Sequence, residues 1–229
     1  MGTMADVARK TYGQFCGLAH ALDVVGERWT LLIVRELGTG PKRYTDLADA
    51  LPGIGTSLLA TRVRQLETDG VIQRRLAVGQ PGSAVVYELS EAGRELALAM
   101  IPLATWGARH QMTDADVGRE AFRAEWLLSF LAADLTGDMD PGPDALYEFH
   151  IGDSTACLQV RGGRMRVAPG PAATPPDVTV RAAAPTVAAL LGRQLTLSDA
   201  VRSDQVDISG DTAATDALVA LIESHLALS

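Results

Sequence analysis

Residues 21–37, ALDVVGERWTLLIVREL, begin the stretch that decides the fold. It continues through a turn at Gly38–Pro41, YTDLADAL over 44–51, PGIG over 52–55, TSLLATRVRQLETDG over 56–70 and VIQRRLAVGQPGSAVVYELS over 71–90. Apolar residues recur at helical spacing in the early segments, and the last alternates as two strands do around a Gly/Pro loop. The order is a scaffold helix, a short helix, a Gly-containing turn, a candidate recognition helix and a two-stranded wing with its loop at Gly79–Ser83. Few other arrangements of small helices and one hairpin use that order. It reads as a winged helix-turn-helix, a module whose partner is double-stranded DNA.

Working outward, the spacing predicts a first helix over Cys16–Leu37, broken near Gly26, with Leu18, Leu22, Val25, Trp29, Leu32, Ile33 and Leu37 as its buried stripe. Pro41 stops it, and Tyr44 opens the next helix, which turns Leu47, Ala48 and Leu51 inward and ends at Pro52–Gly53. Thr56 or Ser57 is expected to cap the third helix through its hydroxyl. Leu59, Val63, Leu66 and Gly70 then face one way and Ser57, Thr61, Arg64 and Thr68 the other. A helix entering the major groove by its first turns needs short hydroxyls there and one long cation, which this outward face supplies. Lys42 and Arg43 before the second helix, and Arg74 and Arg75 at the wing base, are candidate phosphate clamps. The DNA-binding candidates are thus Lys42, Arg43, Thr56, Ser57, Thr61, Arg64, Arg74 and Arg75. The competing explanation is a merely solvated polar face, and the wing beside it favours DNA. Arg62 lies nearer the buried edge and reads as partly structural. Ser90 caps a last helix, Glu91 to about Gln111, that tolerates Pro102.

The formal charge of −8 disfavours DNA binding until the halves are separated. Residues 1–113 carry 12 Lys/Arg against 11 Asp/Glu, and residues 114–229 carry 8 against 17, so the excess of −9 lies outside the DNA-binding module. Weak non-specific DNA affinity is expected. Cys16 and Cys157 have neither metal spacing nor a disulfide framework. No apolar run is long enough to span a bilayer and no leader precedes the module, so a cytoplasmic protein with no membrane partner is expected.

A polar joint at Thr113–Asp116 introduces a second body, which places the expected domains at 1–113 and 117–229. Its pattern predicts a helix over Glu120–Leu135 with Phe122, Trp126, Leu127, Phe130 and Leu131 on the apolar side, then a Pro/Gly/Asp loop at Gly137–Asp144. Strands follow at Tyr147–Ile151, Ala156–Arg161 and Arg164–Val167, the last two joined by Gly162–Gly163 as a hairpin turn. A Pro-rich loop at Ala168–Pro176, a strand at Val178–Ala182, helices at Pro185–Leu191 and Ser198–Arg202, a strand at Val206–Ser209 and a helix at Thr212–Leu228 complete the chain. Mixed strands and helices make this an α+β fold. Arg161, Arg164 and Arg166 are its one close basic cluster, set by alternation on a single solvent-facing side.

The segments of the first half, Cys16 with ALDVVGERWTLLIVREL, RYTDLADALPGI, LLATRVRQLETDGVI, VVYELS and EAGREL, resemble the HxlR family of bacterial regulators, relatives of MarR-type winged helices. The resemblance covers about residues 14–108. It implies homodimers on pseudo-palindromic operators, with the first and last helices of the module at the dimer interface. Gly17 stands where the family has Pro, Gly55 where it has Ser and Ala60 where it has Thr, departures that bear on DNA sequence preference. In some members the Cys matching Cys16 senses electrophiles or oxidants; such a role needs an exposed, ionisable thiol, and Arg9 and Lys10 lie close in sequence. The alternative is a small apolar residue in an interface. Cys157 reads as core.

The second half resembles the sterol carrier protein type two fold through DVTVRAAAPTVAALLGRQLTLSDAVRSDQVDISGD, over about residues 120–226. This implies a five-stranded sheet backed by helices, often around an apolar cavity. Trp126, Phe130, Phe149, Leu158, Val180, Leu190, Leu191 and Leu218 are the candidate lining residues, with a solid core as the alternative.

His20, His110, His150 and His225 are scattered, no Gly-rich phosphate loop follows a strand, and Gly152-Asp153-Ser154 lacks a placed base and forms a turn. No enzyme, metal site or cofactor is expected. The sequence is therefore read as a homodimeric, sequence-specific transcriptional regulator, a repressor by preference, that answers to a small hydrophobic effector. Two alternatives stand beside it: an apolar-ligand carrier without DNA function, and a thiol-based redox regulator acting through Cys16.

Overall fold

A computed structural model describes residues 11–77, 84–112, 120–133 and 142–228, with the side chains of 84, 130, 131, 133 and 225–228 outside the description. The chain divides into two compact units, Met1–Leu37 with Pro41–Gly93, and Gly38–Gly40 with Arg94–Ser229.

The first unit runs α1 (Gly17–Val25), α2 (Thr30–Gly38), α3 (Tyr44–Ala50), α4 (Thr56–Thr68), β1 (Ile72–Ala77) and β2 (Ala84–Leu89). The scaffold helix is broken after Val25, near Gly26 as expected: Gly26 C-caps α1, and Trp29 takes φ +79° just before α2, a region that side-chain-bearing residues rarely enter and that no helix can continue through. The expected buried stripe is corrected. Ile33 and Leu37 are buried, with Val34, whereas Leu18, Leu22 and Leu32 are exposed. The N-cap of α4 is Gly55, and neither Thr56 nor Ser57 caps it, since both already lie inside the first turn. Leu47, Leu51, Leu59, Val63 and Leu66 close the core against Ile72, Val86 and Leu89 of the wing, each fully buried leucine contributing roughly 1.5–3 kcal/mol. The wing is antiparallel, Ile72 opposite Leu89 through Ala77 opposite Ala84, and Lys42 joins it by exchanging backbone hydrogen bonds with Tyr87 at 2.9 and 2.8 Å. The expected wing tip at Gly79–Ser83 and the joint at Thr113–Asp116 lie outside the described residues.

Helix α5 (Glu91–Gln111) carries Pro102 inside it. The Ser90 hydroxyl accepts the Gly93 N–H at 3.0 Å and donates to the Gly70 carbonyl at 2.5 Å. It thereby caps the helix and ties its start to the end of α4. Gly93 is required there, because a Cβ would run into the Val71 carbonyl oxygen.

Further along come α6 (Ala124–Ala133), β3 (Ala145–Ile151), β4 (Ser154–Arg161), β5 (Arg164–Pro169), β6 (Val178–Ala182), α7 (Ala184–Leu191), α8 (Leu197–Arg202), β7 (Val206–Gly210) and α9 (Thr212–Leu228). The strands form one five-stranded sheet in the order β5-β4-β3-β6-β7, with β3 and β6 parallel and the other pairs antiparallel. Helix α6 begins at Ala124 rather than Glu120, where the hydroxyl of Ser154, the first residue of β4, accepts the Ala124 N–H at 2.8 Å. Alternation along β3 sends Ala145, Tyr147, Phe149 and Ile151 into the core, where they meet Leu128, Leu158, Val180, Leu190 and Leu218 from the helices and neighbouring strands. The loop expected to begin at Ala168 starts after Pro169, on an edge strand that can hold a proline.

Candidate functional site

Helix α4 positions the candidate nucleic-acid face. With Leu59, Val63 and Leu66 pinned in the core, Ser57, Arg64 and Thr68 stand exposed and Thr61 is half-buried. The hydroxyls of Thr61 and Thr68 donate to the carbonyls of Ser57 and Arg64 at 2.9 Å each. The Arg64 Nε donates to the Ala60 carbonyl at 3.2 Å. These are local bonds within one helix, which a base edge can replace. Tyr44 fixes the entry to α4 by donating its hydroxyl to the Thr56 carbonyl at 2.6 Å. Arg62 differs in kind: it lies 2.7 Å from Glu27 and donates to Gln65 at 2.6 Å, fastening α4 to the segment before α2. Around this face Arg43 stands exposed at the N-cap of α3, its N–H bonded to the Asp46 carboxylate at 2.9 Å. Arg75 pairs with Glu88 at 2.6 Å and Arg74 approaches Glu67 at 4.0 Å. Such exposed pairs are worth about 0–1 kcal/mol, so a phosphate can displace either acid.

A second concavity lies between the sheet and its helices. It is a cavity of about 80 Å³ lined by Leu127 and Leu128 of α6, Phe149 and Ile151 of β3, Val180 and Ala182 of β6, Val187, Leu190 and Leu191 of α7, Leu197 of α8, Val206 and Ile208 of β7, and Ile222 of α9. Every lining side chain is hydrocarbon. Leu127, Ala182, Leu191, Ile208 and Ile222 keep part of their surface in solvent, so the cavity opens outward. It can take an apolar group and offers no partner to a buried polar one.

The HxlR-like helix-turn-helix family matches residues 24–115. A regulator of the HTH type from Synechocystis sp. is 38% identical over 96 residues, which are 42% of this chain and 70% of that protein. Another from Bacillus subtilis, YtcD, is 40% identical over 89 residues, 39% of this chain and 70% of its own length. The chain belongs to the HxlR-like helix-turn-helix family. YodB, a third HTH-type regulator, also from Bacillus subtilis, is 31% identical over 89 residues, 39% of this chain and 79% of its own. These similarities leave the second half to a different match, the SCP-2 sterol transfer family over residues 134–223. This member of the HxlR-like family therefore carries an SCP-2-like domain behind its winged helix.

Within the HxlR-like half, the fold gathers Thr56, Ser57, Thr61 and Arg64 on one helix and sets Arg74 and Arg75 on β1. Lys42 is held beside the wing by its backbone bridge to Tyr87. In the SCP-2-like half, Phe149, Val180, Leu190 and Leu191 line the cavity, whereas Leu158 and Leu218 are fully buried and Trp126, half-buried beneath Arg123, is not part of the lining. The Phe130 side chain is outside the description. Sequence reasoning misses Leu127, Leu128, Ile151, Ala182, Val187, Leu197, Val206, Ile208 and Ile222; the apolar periodicity of their strands and helices is readable, but a lining residue and a core residue show the same pattern. Cys16 is exposed at the N-cap of α1 and Cys157 is buried. Burial, and after it the Glu148 carboxylate, pushes the Cys157 thiol up.

Proposed function

We propose that the chain is a cytoplasmic, homodimeric transcriptional repressor whose residues 1–113 bind an operator and whose residues 117–229 receive a small hydrophobic effector. The helix-turn-helix relatives and the exposed face of α4 support the DNA-binding half. The observation that carries the effector half is the all-hydrocarbon cavity. At about 80 Å³ it is smaller than the ~150 Å³ apolar cavity that holds one benzene ring, so an effector of any length has to leave through the opening or spread the helices. Spreading supplies what regulation needs, a ligand that binds two states of the protein unequally. Dimerisation is supported by α1, which buries only Ala19 and leaves Phe15 just before it and Leu18 within it exposed.

The test is a gel shift of the full chain against the region upstream of its own gene, with and without a dansyl-labelled fatty acid. Sequence-selective binding, weakened by the probe at about micromolar concentration, is expected. Fatty-acid binding without any sequence preference at moderate salt would leave an apolar-ligand carrier as the better account.

The exposure of Cys16 favours a second reading, release of DNA by thiol oxidation. Cys16→Ser is expected to keep operator binding and to abolish release by diamide. Equal release of both proteins removes Cys16 from that role.

A further inference from the structure

The acidic second half contains one local inversion of charge. After residue 120 its arginines are mostly engaged: Arg123 with Glu125 at 3.6 Å, Arg181 with Asp207 at 3.9 Å, Arg202 with Asp199 at 2.6 Å, and Arg193 in a contact of its own. Arg161, Arg164 and Arg166 are exposed, and among the described residues none has an acidic partner. The strand register brings them together. Arg161 stands directly opposite Arg164, and Arg166 opposite Gln159, while Met165 and Val167 face the core. Gly162 and Gly163, at φ +54° and +72°, make a turn with no side chain, and no described residue would meet a Cβ added at either. The tip is bare to a large partner. Asp144 is close by, but its carboxylate accepts the Gly162 N–H at 2.7 Å.

Like charges directly opposite on paired strands destabilise the sheet. Charges on an edge strand guard it against pairing with another chain, which explains Arg164 and Arg166 on β5 but not Arg161 on the inner strand β4. Guanidinium forks match phosphate oxygens in paired hydrogen bonds. Arg164 and Arg166 are two residues apart, roughly 7 Å along a strand, so each reaches a separate anionic group. All three arginines are exposed on this face rather than turned into an enclosed site, which favours a polymer of repeated phosphates over a single small anion.

We propose that Arg161, Arg164 and Arg166 form a second DNA contact, holding the sugar–phosphate backbone without reading bases. This rests on the DNA-binding reading above. It gives the acidic domain a direct hold on the duplex, and so a route by which its ligand state alters affinity.

Full-length wild type and Arg164→Ala/Arg166→Ala are titrated against the upstream duplex across about 50–200 mM salt. Two lost phosphate contacts flatten the slope of log Kd against log salt by about 1.8, so the variant loses roughly tenfold less affinity over that range than wild type. Arg64→Ala, run beside it, loses sequence preference instead. An unchanged slope in a variant that melts as wild type overturns the proposal. So does a lowered melting temperature with an unchanged slope, which assigns the arginines to acids of their own chain. Binding of wild type but not variant to phosphatidylserine vesicles, again with an unchanged slope, overturns it in favour of a membrane surface. If wild type binds no duplex, the DNA-binding reading itself falls, and that result is distinct from the others.

Discussion

Arg64 and Glu148 show how differently two charged residues act. Among the described residues Arg64 bonds only within its own helix, so Arg64→Ala is expected to leave the melting temperature within about a degree of wild type, as surface substitutions do. Its cost should appear in operator binding instead, about 1–3 kcal/mol if it reaches a base edge; unaltered affinity in the gel shift would move the groove contact off that face. Glu148 is a structural charge. Its carboxylate accepts the Ala172 N–H at 2.6 Å and lies 2.7 Å from His150 Nε2, pinning the loop after β5 to the sheet. The Ala172 hydrogen bond holds its pKa below the ordinary value of 4.5, burial works against that, and His150 adds to it. A depressed carboxylate stabilises the fold fully above the unfolded value and loses that contribution as pH falls through the folded one. Wild type should therefore lose its stability advantage over Glu148→Gln only below about pH 4.5, in thermal melts stepped through acid. Parallel curves for the two proteins would remove Glu148 from this role.

At the scale of elements, helix starts differ in where their caps come from. Ser90 caps α5 from the adjoining residue, which is why Glu91–Gln111 was legible from a serine before an apolar-periodic run. The start of α6 was not, since its cap, Ser154, arrives from the start of a strand thirty residues away in the chain. The junction of β1 and α5 gives the sharpest expectation. Gly93 packs so closely on the Val71 carbonyl that an added methyl must displace backbone, and Val71 also binds Ser90. Gly93→Ala is expected to cost about 1–3 kcal/mol, the usual cost of overpacking, despite the better helix propensity of alanine. A neutral or stabilising result in urea unfolding would mean that the helix start slides freely on the wing.

For the whole molecule, two apolar surfaces call for occupants. Leu18→Glu places a charge on the exposed side of α1 and is expected to shift the chain from dimer to monomer in light scattering, with a loss of operator affinity, because two half-sites are held through one dimer. A dimer that survives the substitution would place the interface elsewhere. Ala182→Phe fills part of the 80 Å³ cavity from a residue already partly open to solvent. It should weaken the fatty-acid probe severalfold while a mild loss of stability, about 1–3 kcal/mol, reports the crowding. Undiminished probe binding would locate the ligand outside the cavity.

Sequence by itself determined what depends on neighbours along the chain. The bounds of β6 at Val178–Ala182 and of α9 at Thr212–Leu228, the glycine turn at 162–163 and the amphipathic face of α4 all follow from periodicity and local backbone preference. Alternation also placed the three arginines on one side. Tertiary structure decided what depends on distant residues: the cap of α6 by Ser154 and the opposition of Arg161 to Arg164. It decided as well which apolar residues surround a void. Leu158 and Leu190 carry the same apolar signal, yet one is sealed in the core and the other lines the cavity. The hydrophobic effect selects for removal from water and is indifferent to direction, so only the packing of helices against the sheet could separate filled space from empty.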